Sequence, residues 1–216
     1  LAQNHDHMLH LVKDVLGSSQ FDVAGLKPSS TVIPAENLKL VPVENVLRMY
    51  MAQSSTSTSL YQHWLQAKEA GQEVFSYAGH EIITAEVEPN GILPYLMDTP
   101  STKEKIDRTI DPQYLFDNDI CTPAQYREIR NGSIMAFGII TQYLNDIGMV
   151  LVDTKTEHGI NSAGKIVSAD ELYTMDSSRF WKLNDDGNIM RRNGNPVSFS
   201  KEFARGMIKE KNQHFS

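Results

Sequence analysis

With 216 residues, 40% of them hydrophobic and 22% charged, the chain can bury a core as one domain or as two small ones. A formal net charge of −7 with no long basic run argues against a nucleic-acid or acidic-membrane partner, while leaving room for a local basic pocket around a small phosphate. The single cysteine, Cys121, excludes an internal disulfide; with no signal-peptide pattern and no apolar run of about 18 residues, a cytoplasmic protein that does not span a membrane is expected.

In chain order, apolar spacing predicts an amphipathic helix from Asp6 to Leu16, closed by Gly17. His5, His7 and His10 lie in or near it, but positions two apart do not face each other on a helix. They read as surface residues rather than metal ligands. Ser18 to Pro34 is loop-like. Leu38 to Val43 reads as a strand, and Val46 to Ala52 as its continuation or its partner. Ser54 to Ser59, almost all Ser and Thr, is either a linker or a hydroxyl-rich loop entering a helix from Leu60 to Ala70. Short strands and turns follow, with Ile82-Ile83, a Pro89-Asn90-Gly91 turn and a strand from Ile92 to Met97. Asp98 to Lys103 is polar and expected to be exposed. Thr122-Pro123-Ala124-Gln125 carries the capping residue, first-position proline and third-position glutamine of a helix start. Asn131-Gly132-Ser133 reads as a turn, with a second helix from Ser133 to Ile147 and a last one from Ser200 to Lys211. Strands and helices without strict alternation predict an α+β fold with an antiparallel or mixed sheet flanked by helices.

The densest chemistry lies between Gly148 and Trp181. An apolar run, Met149 to Val152, passes into Asp153-Thr154-Lys155-Thr156-Glu157, and strand alternation puts Asp153, Lys155 and Glu157 on one face. A Gly/Asn/Ser turn and a second short run, Lys165 to Val167, make this a β-hairpin, with Asp170, Glu171, Asp176 and Arg179 just beyond. Spacing alone leaves two readings, a solvated charged face or a site holding a metal and an anion together. Gly159 to Lys165 imitates a phosphate-binding loop, but Ile166 stands where Ser or Thr must reach magnesium, and a strand follows instead of a helix. Cys121 has no placed histidine and reads as a packing residue.

Four motifs in order resemble the family of phosphoribosylaminoimidazole-succinocarboxamide synthases (SAICAR synthetases) of purine biosynthesis. They are Pro42-Val43-Glu44 through Arg48 to Ala52-Gln53-Ser54; Thr99-Pro100-Ser101-Thr102-Lys103; Leu151-Val152-Asp153-Thr154-Lys155-Thr156-Glu157-His158-Gly159; and Asp170-Glu171 followed by Met175-Asp176-Ser177-Ser178-Arg179-Phe180-Trp181. Ser200 to Arg205 is similar to the start of the family's C-terminal helix. The resemblance implies an ATP-dependent ligase. It activates the carboxylate of carboxyaminoimidazole ribotide as an acyl phosphate and joins it to the amine of L-aspartate. ATP and Mg²⁺ are the implied cofactors and the two small molecules the implied partners, with a homo-oligomer allowed. By resemblance Lys155 and Asp153 are catalytic, and Glu157 and Asp170 serve the metal and nucleotide. Arg48, Ser54, Asp176, Ser178 and Arg179 bind the ribotide, and Lys103 and Asp107 lie toward the aspartate.

The chain also departs from the pattern. Gln53 replaces the glycine before the phosphate-binding serine, a change expected to strain the loop if positive φ is needed there. His158 replaces a phenylalanine, which reads as looser packing, and Arg108-Thr109 replaces the Glu-Asn expected after Asp107. The resemblance implies an N-terminal lobe that covers ATP, and this sequence is expected to begin after it, either as a fragment or as a protein that lacks the lobe. The expected division is therefore residues 1–37 as a helix and loop leading from that lobe, and 38–216 as the ligand-binding domain. These departures support an alternative, a non-ligating relative that binds a ribotide or nucleotide phosphate.

Overall fold

A computed structural model of the chain describes residues 2–17, 35–103 and 108–200. The expected loop Ser18–Pro34, the last helix beyond Ser200, and Asp107 fall outside them. In order, the elements are α1 (Ala2–Val12), β1 (Lys39–Tyr50), α2 (Leu60–Glu69), β2 (Val74–Tyr77), β3 (His80–Ile83), β4 (Ile92–Asp98), β5 (Ser101–Thr102), α3 (Pro112–Asp117) and α4 (Pro123–Asp146). Then come β6 (Met149–Ile160), β7 (Ile166–Ala169), β8 (Ser178–Lys182), β9 (Arg191–Arg192), β10 (Asn195–Pro196) and β11 (Ser198–Phe199). The architecture is α+β, as expected. A seven-stranded antiparallel sheet runs β11-β8-β6-β1-β4, with β5 also on β1 and β7 also on β6. No helix of the described residues is long and apolar enough to cross a membrane.

β1 and β6 form the spine. β1 is one continuous strand, so Val46 to Ala52 continues the first run instead of pairing with it. Its register on β6 shifts between Val41 and Glu44, at Pro42, a residue with no N–H to give a ladder. Along its other edge, Val43 and Glu44 pair with Thr102 and Ser101 of β5. On β1, Leu47 packs into the cluster that holds Ala136, Phe137 and Ile140 of α4 with Met8, Leu9 and Val12 of α1. Alternation then sends Val46 and Arg48 to the opposite face, together with their cross-strand partners Lys155 and Asp153.

Three local expectations are corrected. α1 begins near Ala2, not at Asp6, and His5 is buried, accepting from Leu172 N at 2.8 Å through Nδ1; it is no surface residue. Asn131-Gly132-Ser133 is no turn. One 24-residue helix runs from the Thr122 capping box through it. The glycine that suggested a break serves close approach: a Cβ on Gly132 would stand 3.2 Å from Val15 O and 3.3 Å from Leu16 Cδ1. Asp98, Thr99, Ser101 and Thr102 are buried instead of exposed: Thr99 and Ser101 bond to β1, Asp98 accepts from Tyr126 and Arg130 of α4, and Thr102 Oγ1 accepts from Arg108 N. Cys121 is buried among Val41, Leu115, Tyr126 and Ile129, in keeping with a packing role, and burial pushes its thiol up.

Candidate functional site

Across the face turned away from α4 lies a cleft of 280 Å³. Its floor comes from β1, β6 and β8, one wall from the loop before α2, and the other from the segment Thr99–Ser101.

At the centre of the floor Asp153 sits between two guanidinium groups. Arg48 Nη1 donates to Asp153 Oδ2 at 3.0 Å; Arg179 donates through Nε to Oδ1 at 2.8 Å and through Nη2 to Oδ2. Burial alone would raise the Asp153 carboxyl. Arg179 first and Arg48 second outweigh it and hold the group below the usual carboxylate range. The carboxylate therefore stays ionised and holds two cations side by side that would otherwise repel, leaving a local excess of positive charge in a chain that is acidic overall. Arg48 Nε donates to Thr99 Oγ1 at 3.0 Å, and Thr99 Oγ1 donates to Val46 O, which fixes the guanidinium to the wall as well as the floor.

Further along the same face, Glu44 and Glu157 lie directly opposite each other across β1 and β6. Like charges so placed repel, and two lysines resolve the conflict. Lys155 Nζ donates to Glu44 Oε1 at 2.5 Å, while Lys103 pairs with Glu157. Glu44 is 4% exposed and also accepts from Ser101 Oγ at 3.1 Å. Lys155 is thus aimed by a buried carboxylate, and its own N–H donates to Ser177 O at 2.9 Å. Ser178 shares a hydrogen bond with Thr154, Oγ to Oγ1, at 2.8 Å.

The Ser/Thr stretch proves to be the hydroxyl-rich loop. Ser54, Thr56, Thr58 and Ser59 all line the cleft. Ser59 caps α2, its Oγ accepting from Gln62 N at 3.3 Å, and Gln62 Nε2 reaches back to Ser54 O at 2.9 Å. Tyr77 OH donates to Thr58 O at 3.1 Å, tying the loop to the β2–β3 hairpin.

Of the residues expected from sequence, Lys155, Asp153, Arg48, Ser54, Asp176, Ser178 and Arg179 line this one cleft. Glu157 and Lys103 pair beside it without lining it. Asp170 is exposed, just past Ala169, the register partner of Glu157, and has a φ of 58°. Burial raises the neighbouring Glu171 carboxyl, and the charges of Asp176 and Asp170 add to the rise. Among the described residues no group of three His, Cys, Asp or Glu side chains could hold a metal by itself. Glu157 and Asp170 offer two carboxylates, which suits Mg²⁺ when water and phosphate oxygens complete its shell.

Glu44, Thr99 and Ser101 were not among the expected site residues. Glu44 stands within the quoted Pro-Val-Glu motif, so that signal was present. The two hydroxyls also stand within a quoted motif, Thr99-Pro100-Ser101-Thr102-Lys103, although that segment is expected to be exposed. Gln53 does not carry the expected strain: it is not among the described residues with positive φ. His158 is 1% exposed, with neither ring nitrogen hydrogen-bonded, and burial lowers its pKa to about 4.

A family model described as SAICAR synthetase matches residues 2–216. The phosphoribosylaminoimidazole-succinocarboxamide synthase of Legionella pneumophila (strain Lens) is 34% identical over 179 residues, which is 82% of this chain and 55% of that protein. A putative phosphoribosylaminoimidazole-succinocarboxamide synthase 2 from Agrobacterium fabrum is 28% identical over 187 residues, 85% of this chain and 57% of its own length. Among solved structures, the SAICAR synthase of Saccharomyces cerevisiae complexed with SAICAR gives a TM-score of 0.69 at 20% identity, over 98% of this chain and 70% of that one. A type-2 SAICAR synthetase in complex with ADP gives 0.67 at 22% identity, over 94% and 71%. The chain spans a little over half the length of these curated relatives, and the structural likeness speaks for a shared fold.

Proposed function

The chain belongs to the SAICAR synthetase family, and from that premise we propose that its cleft binds carboxyaminoimidazole ribotide for ATP-dependent ligation to L-aspartate. The observation that carries this reading is the Arg48–Asp153–Arg179 cluster, two guanidiniums held together on one buried carboxylate beside the Ser54 loop. A phosphate monoester carries two negative charges and several acceptor oxygens, and guanidinium forks with serine hydroxyls match it.

In this reading Arg48, Arg179 and Ser54 hold the ribotide phosphate, and Asp176 and Ser178 line the path toward the ring. Lys155, released in part from Glu44, meets the ribotide carboxylate. A carboxylate oxygen of the ribotide takes the γ-phosphoryl group, leaving ADP. The amine of aspartate then attacks the acyl carbon; as the C–N bond forms the acyl C–O bond breaks, inorganic phosphate leaves with its electron pair, and the proton of the amine passes to that phosphate. Lys155 neutralises charge at the carboxylate during phosphorylation and at the oxyanion during attack. Asp153 acts by orienting the two arginines. Mg²⁺, held by Glu157 and Asp170, would supply charge neutralisation at the nucleotide phosphates. Lys103 and Asp107 are assigned to the aspartate side.

The second reading, a relative that binds the ribotide without ligating, gains support from the Lys103–Glu157 ion pair, which competes for a carboxylate the metal would need. ATP, Mg²⁺, L-aspartate and carboxyaminoimidazole ribotide together should give sustained ADP release that fails when any one is omitted, and Lys155→Ala should abolish it. Ribotide binding without ADP release selects the second reading.

A further inference from the structure

The loop that brings Ser54 to the cleft leaves β1 at Met51 and has no regular structure before α2. Its entry is secured by the turn preceding β4. Asn90 N donates to Met51 O at 2.8 Å, and Met51 N donates to Gly91 O at 2.9 Å. Asn90 then turns its carboxamide onto the next part of the loop. Its Oδ1 accepts from Gln53 N at 3.1 Å, and its Nδ2 donates to Gln53 Oε1 at 3.3 Å. Asn90 is 6% exposed and has a φ of 59°, a conformation that asparagine tolerates better than other residues with a Cβ.

Resting on the ribotide-phosphate reading above, we infer that Asn90 and Gln53 form a latch that positions the Ser54 hydroxyl for the phosphate. The pair is a reciprocal amide contact. One carboxamide meets both the main-chain donor and the side-chain acceptor of the residue immediately before Ser54. On the far side, Gln62 Nε2 holds Ser54 O. The serine is thereby fixed from the turn before β4 on one flank and from α2 on the other. A glycine at position 53 could offer the N–H but no acceptor for Nδ2, so the glutamine adds a bond that the family's residue cannot make. This accounts for a side chain at a position where the family pattern has none: the loop is ordered by a side-chain bond and has no need of glycine's freedom. Neither residue of the pair lines the cleft, so both act through Ser54 and are positioning residues.

The test removes the latch without disturbing the turn. Asn90→Gly suits the positive φ and deletes both side-chain bonds, whereas Gln53→Ala deletes only the bond to Oε1. Two measurements are made on the full chain: calorimetric affinity for ribose 5-phosphate, and hydrogen exchange of the amides in residues 53–58 without ligand. Asn90→Gly should weaken binding about five- to tenfold and speed exchange in the loop, with a smaller effect from Gln53→Ala. Adding Gln53→Ala to Asn90→Gly should weaken binding no further, because the contact is already gone. Unchanged affinity in Asn90→Gly overturns the latch, as do single effects that multiply in the double variant or exchange that stays slow. Failure of the unaltered chain to bind ribose 5-phosphate overturns the phosphate site itself, a separate result.

Discussion

Asp153 and His158 lie on the same strand, and burial leaves them in opposite states. For Asp153 the charges of Arg179 and Arg48 win and the group stays ionised. His158 has no such partner, so burial wins and the imidazole stays neutral, with its pKa lowered to about 4. The sign of the stability effect follows. The unfolded histidine titrates near 6.5, so between that value and about 4 the unfolded chain binds the extra proton. The stability in question is complete above about pH 6.5 and is lost as pH falls toward 4. At pH 5 the loss amounts to about 2 kcal/mol. His158→Phe should remove this acid-dependent loss and relieve two unbonded ring nitrogens, raising stability at pH 7.5 by about 1–2 kcal/mol and by more at pH 5. Urea midpoints at the two pH values check it; an equal or negative change at pH 5 would contradict the assignment. The sequence signalled that position 158 differed from the family's Phe but not that the imidazole would be sealed away. Burial is set by the whole fold and not by the residues around position 158.

At the scale of elements, local signals read well and long-range ones did not. The capping box at Thr122 is written in four adjacent residues, and the helix begins there. The hairpin of β6 and β7 was equally plain from alternation and turn residues. Helix continuity through Gly132 was not, because the reason for glycine lies in the backbone of Val15, far away in sequence. The same holds for Asp98–Thr102, a polar segment whose partners are Arg48, Glu44, Tyr126 and Arg130. Two glycines of α4 separate the local from the long-range effect. A Cβ added at Gly138 would meet nothing within 4 Å, so Gly138→Ala should stabilise by about 0.5–1 kcal/mol through helix propensity. Gly132→Ala gains the same propensity but presses on Val15 O, a main-chain atom, and should lower the melting temperature. Thermal unfolding of both variants decides; a rise for both would mean that the segment after α1 yields freely.

The cleft is a property of the whole molecule. Arg48 and Asp153 stand 105 residues apart in the chain, and Glu44 and Lys155 are separated by 111. No periodicity could join them. What made most of the site legible was the order of four motifs, which named seven residues that the fold brings into one cleft. Thr99, Ser101 and Glu44 stand in those motifs too, but their roles, as hydroxyls of the wall and as the carboxylate that aims Lys155, rest on contacts between distant strands. Glu157 and Asp170 stay at the margin: Asp170 follows Ala169, the register partner of Glu157, and neither lines the cleft. In the proposed reading the paired arginines receive the phosphate of a ribotide. Titrating carboxyaminoimidazole ribotide into the chain and into Arg179→Ala by calorimetry tests it most directly. Saturable binding to the unaltered chain is expected, with an affinity about 30- to 100-fold weaker in the variant for loss of a charge-assisted hydrogen-bonding pair. Equal affinity in the two proteins, or no binding to either, would contradict it.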